Sequence, residues 1–297
     1  MSTPLRFFKS AIACLLLAGA GAASAAETPE VWPFFAFDNG VGRGVWPPSE
    51  QAETVKSLGY DGIHYNYTNP KDFATKLAAC NAAGVPIDAV YLYTFVDKPG
   101  QAYDPGFKEV IRMLKGSKTI IWMTLRDGRR GQQDSEAADI VREIAGLAAE
   151  SGLKVSIYPH AGFYVSTAEE AVRVVKLVDR PNVGVTVNVC HELFAGNGGR
   201  LDEVLKTAGP YLNLVSINGA SPVPGKDSKT WDTLPLGSGS FDAEAFLRLL
   251  WATGYRGPIG HQFFAVKGDD KVKLSQAITA WKKIKAHVVE SGAEVKK

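Results

Sequence analysis

The chain has 297 residues, of which 45% are apolar and 22% charged. That is the composition of a packed globular protein and excludes a disordered or collagen-like chain. Lysine and arginine total 33 against 31 acidic residues, a net charge of +2, so no basic excess is available for binding nucleic acid by counterion release.

Residues 1–25 read as a secretory signal. Arg6 and Lys9 precede a small apolar run, Ala11 to Ala22, and Ala23-Ser24-Ala25 forms an A-x-A cleavage site. A membrane anchor is the alternative, but the run is short for a bilayer. Residues 26–297 are then expected to be one exported domain, periplasmic or secreted, with no membrane association after cleavage. Loss of Arg6 and Lys9 balances its charge, and only Cys80 and Cys190 remain, too few for a disulfide scaffold.

Along this domain a helical period, a glycine and a short β-rich run recur. Gly59 precedes Ile63, Gly84 precedes Val90, Gly152 precedes Ile157, and Gly254 precedes Ile259. Glycine after a helix accepts the left-handed conformation that ends it. Asn69-Pro70 pairs a capping side chain with proline at the first helical position, and Ser166 with Glu169 has the spacing of a capping box. In the helix after Ser135, Val141, Ile144, Ala145 and Ala148 share a face. Strands are predicted near Phe35, Ile63, Val90, Ile121, Ser156, Thr186, Val215 and Gly260. Eight alternating β and α units in a chain of this size predict an α/β fold, a (β/α)8 TIM barrel. An open doubly wound sheet is the alternative, and the first strand lacks the G-x-G-x-x-G that would favour it.

Parity within the strands separates a side facing helices from a side facing the barrel axis. Ile63 and Tyr65 oppose His64 and Asn66; Ile121, Met123 and Leu125 oppose Thr124 and Arg126. Val155 and Ile157 oppose Ser156, Tyr158 and His160; Val185, Val187 and Val189 oppose Thr186, Asn188 and Cys190. Val215 and Ile217 oppose Ser216 and Asn218, and Ile259 opposes Gly260 and Gln262. His64, Arg126, Tyr158, His160, Asn188, Asn218 and Gln262 are therefore expected at the C-terminal mouth, where active sites of this fold lie. A packed interior needs no such polar ring. His191 lies just past the sixth strand. His261 falls on the helix-facing side as a structural, hydrogen-bonded histidine, and His287 on the last helix as a solvated one.

Gly219 to Ser240 reads as a long loop rich in proline, glycine and serine. Its Trp231 suits either a sugar-stacking lid or an anchor for the loop. The turn from Gly237 to Asp242 suits either an anion site or a plain helix cap by Ser240 or Asp242.

The chain resembles the xylose-isomerase-like barrel superfamily of sugar isomerases and epimerases, particularly its secreted members. The likeness runs through nearly the whole domain and is sharpest in Gly184-Val185-Thr186-Val187-Asn188-Val189-Cys190-His191, in Pro235-Leu236-Gly237-Ser238-Gly239-Ser240-Phe241-Asp242 and in Gly254 to Gln262. The resemblance implies one divalent metal held by Glu, Asp, His and Glu at the ends of the fifth to eighth strands. Those positions fall on Tyr158, Asn188, Asn218 (or Ser216) and Gln262, none of which keeps the family's ligand; His160 and His191 match histidines the family often has. No metal is therefore predicted, since a hard cation wants carboxylates, although a metal held by His160 and His191 is an alternative; any other cofactor is left open.

Two functions follow. The first is proton transfer beside a carbonyl of a sugar or sugar derivative, giving isomerisation, epimerisation or elimination. His160 or His191 acts as base, and Arg126, Asn188 and Gln262 stabilise the developing charge. His64, Tyr158, Asn188, Asn218, Gln262 and Trp231 are the expected substrate contacts. The second is a non-catalytic carbohydrate-binding protein. The nuclease branch of the fold is disfavoured by the neutral charge. The expected partner is a small-molecule carbohydrate and not nucleic acid; the oligomeric state is left open.

Overall fold

The computed structural model describes Met1 and residues 31–294. The signal reading for residues 2–25 lies outside the described residues. Eight parallel strands close into a barrel: β1 (Phe34–Phe37), β2 (Gly62–Asn66), β3 (Ile87–Phe95), β4 (Ile120–Arg126), β5 (Lys154–Ile157), β6 (Val183–Asn188), β7 (Leu212–Ile217) and β10 (Ile259–His261). They neighbour one another in chain order, and β10 returns to pair with β1, Phe35 against Gly260. All eight predicted centres fall in these strands.

Helices α1 (Pro48–Leu58), α2 (Pro70–Ala83), α3 (Phe107–Met113), α4 (Asp134–Glu150), α5 (Ala168–Val178), α6 (Val189–Ala195), α7 (Leu201–Ala208), α8 (Ala243–Ala252) and α9 (Asp270–Glu294) follow the strands. The predicted caps form where the chemistry is strongest. Asn69 accepts from Asp72 N with Pro70 at the first turn of α2, and Gly84 ends that helix at φ +67°. The capping box before α5 sits one residue later than its spacing suggested: Thr167 accepts from Glu170 N, and the Glu170 carboxylate accepts from Ser166 N at 2.7 Å. Helix α9 continues to Glu294.

The expected loop after β7 is partly ordered as an antiparallel hairpin of β8 (Gly219–Pro222) and β9 (Trp231–Leu234). Gly237 and Gly239 turn the chain at φ +86° each, and Asp242 caps α8 by accepting from Ala245 N. A carboxylate at that helix start occupies the place an anion would take.

The helix-facing side of the strands is apolar, as the parity predicts: Ile63, Tyr65, Ile121, Met123, Val155, Ile157, Val185, Val187, Val215 and Ile217 are fully buried in one large core. The axis is not a polar channel. Phe35, Phe37, Tyr91, Trp122, Tyr158 and Leu214 fill it as a second apolar cluster. Gly260 is part of that packing, because a Cβ there would lie 2.5 Å from the rings of both Phe35 and Phe37. Deep in the barrel, polar atoms pair with each other. Trp122 Nε1 donates to Thr186 Oγ1 at 2.6 Å, and Ser156 Oγ lies 2.8 Å from the same hydroxyl.

Candidate active site

The mouth is built from strand ends whose last inward residue is polar. Tyr158 follows β5 and continues its ladder, with its backbone N–H donating to Met123 O. Asn188 ends β6 and also caps α6, its Oδ1 accepting from His191 N at 3.3 Å. That cap turns the chain so that His191, out of step with the strand, still faces the mouth. Gln262 follows β10, and its N–H donates to Ile217 O.

Three of the expected residues form one hydrogen-bonded group. Asn188 Nδ2 and Gln262 Nε2 both donate to the Tyr158 hydroxyl, the latter at 3.2 Å. Gln262 Oε1 accepts from Asn39 Nδ2 at 2.7 Å and from Phe264 N at 2.9 Å. The Tyr158 ring is held edge-on by Trp122 and Tyr91, with centroids 4.5 and 5.1 Å away. Burial raises the Tyr158 hydroxyl well above its ordinary pKa, against the effect of the two amide donors.

Beside this group lies a stack of rings. The His160 and His191 ring centroids are 3.9 Å apart, Phe163 stacks on His160 at 4.0 Å, and the Arg126 guanidinium lies 4.7 Å from the Phe163 centroid. His191 is 5.6 Å from Tyr158. His160 Nδ1 lies 2.9 Å from its neighbour's carbonyl, Ala161 O. A carbonyl only accepts, so Nδ1 carries the proton and Nε2 keeps its lone pair. Burial lowers the pKa of His160, the Ala161 bond opposes this, and the charge of Arg126 adds to the lowering. Burial, with His160 adding, lowers His191 further. Both are neutral bases at neutral pH.

His64 belongs to a third cluster, with Asp38 and Arg43 from the turn after β1. Arg43 donates to Asp38 Oδ1, Asn66 N donates to Asp38 Oδ2 at 3.2 Å, and His64 Nδ1 is 3.7 Å from Asp38 Oδ1. His64 is wedged against Phe37 and Trp122. Burial pushes its pKa down to about 4 despite Asp38. Asn218 stands apart, donating to Gly219 O at 2.7 Å.

Trp231 is not brought to this group. Its indole N–H donates to Ser228 O within the hairpin, and its ring faces Gly198, which is the loop-anchoring arrangement. His261 lies on the helix side, where Nε2 accepts from Leu236 N at 3.0 Å, and His287 is exposed, 3.4 Å from Glu244. Asp38, Arg43, Asn39, Tyr91, Tyr93 and Phe163 are mouth residues missing from the sequence reading. Parity through Phe35, Phe37 and Asn39, and through Ala89, Tyr91 and Tyr93, carries the signal for three of them.

Most of the buried polar atoms that lack partners lie here. Among the described residues, Asn39 Oδ1, both His64 nitrogens, Arg126 Nε, His191 Nδ1, Ser216 Oγ and Asn218 Oδ1 are buried without a hydrogen bond, as are Asp88 Oδ2 at the other end of the barrel and His261 Nδ1 on the helix side. Most of the unpartnered atoms thus lie toward the C-terminal ends of the strands, which suits a site that takes a polar ligand. A groove of about 1370 Å³ runs alongside, lined in part by Phe95, Tyr103, Lys108 and Arg129, but contains none of these atoms.

The sequence matches the family described as xylose isomerase-like TIM barrel over residues 52–284. The chain belongs to this xylose isomerase-like family. Inosose isomerase of Bacillus subtilis is 24% identical over 155 residues, 52% of this chain and 55% of its own length. The 3-dehydroshikimate dehydratase of Pseudomonas aeruginosa is 31% identical over 132 residues, 43% of this chain and 20% of its own. The chain thus spans about half, or less, of these two curated relatives. A xylose isomerase-like TIM barrel protein from Mycobacterium smegmatis, solved with magnesium, superposes with TM-score 0.68 at 17% identity, covering 86% of this chain and 97% of that one. D-allulose 3-epimerase from Methylomonas gives 0.68 at 17%, covering 86% and 99%. At these identities the likeness is one of fold.

The side chains at the strand ends do not suit a divalent cation. Tyr158, Asn188, Asn218 and Gln262 are a phenol and three carboxamides, and backbone N–H groups hold two of the amide oxygens so that N–H faces the centre. The His160 and His191 rings lie against each other, centroids 3.9 Å apart and tilted by 38°. Among the described residues no three His, Cys, Asp or Glu side chains are grouped to hold a metal.

Proposed function

We propose that this protein is an exported sugar isomerase or epimerase-like enzyme whose usual metal ligands have been replaced. It removes a proton from the carbon beside a carbonyl of a sugar or sugar derivative. The observation carrying this reading is the neutral His160, with its tautomer fixed and Nε2 open, set beside hydrogen-bond donors and unpartnered polar atoms in one barrel mouth. Isomerases, epimerases and dehydratases, the classes named among the relatives, share that first step. His160 Nε2 takes the proton and the carbonyl oxygen becomes an enediolate oxygen. Arg126 supplies positive charge at the edge of the site, and no carboxylate pairs with it among the described residues. His191 packs against His160, and the exposed Tyr93 offers an apolar ring to a sugar.

Export rests on the residues of the first 25 positions. The test of the activity is incubation with ketoses, keto-glycosides and cyclic polyol ketones in deuterated water, followed by proton NMR. Loss of a carbon-bound proton signal beside the carbonyl is expected. Saturable binding with no exchange for any of them would instead favour the carbohydrate-binding reading, to which the neutral amides and aromatic walls are also suited.

A further inference from the structure

The amides of Asn188 and Gln262 are not free to meet a substrate. Asn188 Oδ1 is held by His191 N, and Gln262 Oε1 by Phe264 N. A backbone N–H can only donate, so these contacts fix which end of each amide is oxygen and leave both NH2 groups facing Tyr158. The Tyr158 oxygen therefore receives two N–H donors, and its own proton finds no acceptor among the described residues. The residue is 2% exposed, with Asn188 at 0% and Gln262 at 4%, so bulk water does not readily substitute. On the mouth side stand the rings of His191 and His160, with centroids 5.6 and 6.3 Å from that of Tyr158. The orphaned His191 Nδ1 belongs to the ring next to Tyr158.

From this geometry we infer that the Tyr158 hydroxyl is the donor that holds the substrate's carbonyl oxygen, and that Asn188 and Gln262 are positioning residues that aim it. The inference rests on the proton-transfer reading above and names its electrophile. Two N–H groups drawing on the phenol oxygen polarise its O–H, which makes it a stronger donor than an isolated tyrosine. When His160 Nε2 takes the proton, the C–H pair becomes the carbon–carbon double bond and the carbonyl π pair moves onto oxygen. That oxygen keeps the hydrogen bond from Tyr158, whose proton need not transfer. The negative charge is then met by a preorganised neutral donor in a dry site, which supplies the stabilisation a cation would give. The ligand class is a planar hydroxyketone or its enediolate.

Calorimetric titration with glycolohydroxamate, a planar enediolate mimic, tests this in excess EDTA. Wild-type protein is expected to bind it with a tyrosine ultraviolet difference band. Tyr158→Phe should lose about 10- to 100-fold in affinity and lose the band, as expected for a hydrogen bond to a charged oxygen. Gln262→Glu keeps the acceptor for Asn39 and Phe264 N but turns an acceptor toward Tyr158, so its hydroxyl is consumed internally. This variant should show the same loss and a shifted tyrosine band before ligand is added, with its melting temperature confirming the fold. Absence of binding by wild type, equal binding by Tyr158→Phe, or binding that appears only with added Mn2+ would each overturn the inference. The titration needs no turnover. Tyr158-dependent binding with every sugar inert would therefore retire the sugar assignment and leave this hydrogen bond standing.

Discussion

His160 owes its chemical identity to its neighbours. One ring nitrogen is committed to Ala161 O, Phe163 covers a face, and burial with the nearby Arg126 charge holds it neutral. A base of this kind works best at neutral pH and is lost on protonation. The exchange rate should therefore rise with pH through a value below 6.5 and level off at neutrality, which a pH–rate profile checks. Glu192 is a buried acid of a different kind. It ties α6 to α5 by accepting from Ala168 N and from Asn197, both at about the length of strong hydrogen bonds, yet burial raises its pKa to about 7. A carboxyl whose folded pKa lies above its unfolded value stabilises fully below about pH 4.5, and that contribution is lost as pH rises through 7. The stability difference between wild type and Glu192→Gln should thus shift against wild type by on the order of 3 kcal/mol between pH 4.5 and 8. Urea midpoints at the two pH values read it.

At the scale of elements, the strands were legible because a helix-facing apolar side is demanded at every strand, and the resulting alternation survives in six of them. The mouth ring followed from the same alternation. What did not follow was its grouping. Whether Asn188 meets substrate or Tyr158 depends on which backbone N–H captures its oxygen, and this is decided by the turn into α6. The aromatic plug went unseen because Phe34, Phe35 and Phe37 read as a continuous apolar run, which hides the face that points inward. The capping box before α5 slipped by one residue because Ser166 and Thr167 are both competent caps, and Glu170 rather than Glu169 reaches back. Two outcomes follow from these packings. Gly260→Ala forces a methyl into the Phe35 and Phe37 rings and should cost about 1–3 kcal/mol in a denaturant titration. Thr167→Ala removes the cap of α5 and should cost about 1 kcal/mol in the same assay.

For the whole molecule, the closed barrel buries His64, His191 and His261 as neutral groups, lowered by desolvation, the first to about 4 and the last to about 3. An unfolded chain protonates each near pH 6.5, so their contribution is fully present above that value and is lost as pH falls toward 4. The urea midpoint should drop steeply over that range, and His261→Gln should soften the drop, if the amide oxygen still accepts from Leu236 N. No helix among the described residues is long and apolar enough to cross a membrane. The near-balanced charge leaves the site's selectivity to the mouth rather than to long-range fields.

The initial rate of solvent deuterium entry at the carbon beside a sugar carbonyl, at pH 7 in EDTA, compared between wild type and His160→Gln, bears most directly on this account. It predicts chelator-resistant exchange in wild type and a loss of about 100-fold or more in the variant. Equal rates in the two proteins, or exchange that EDTA abolishes, would contradict it.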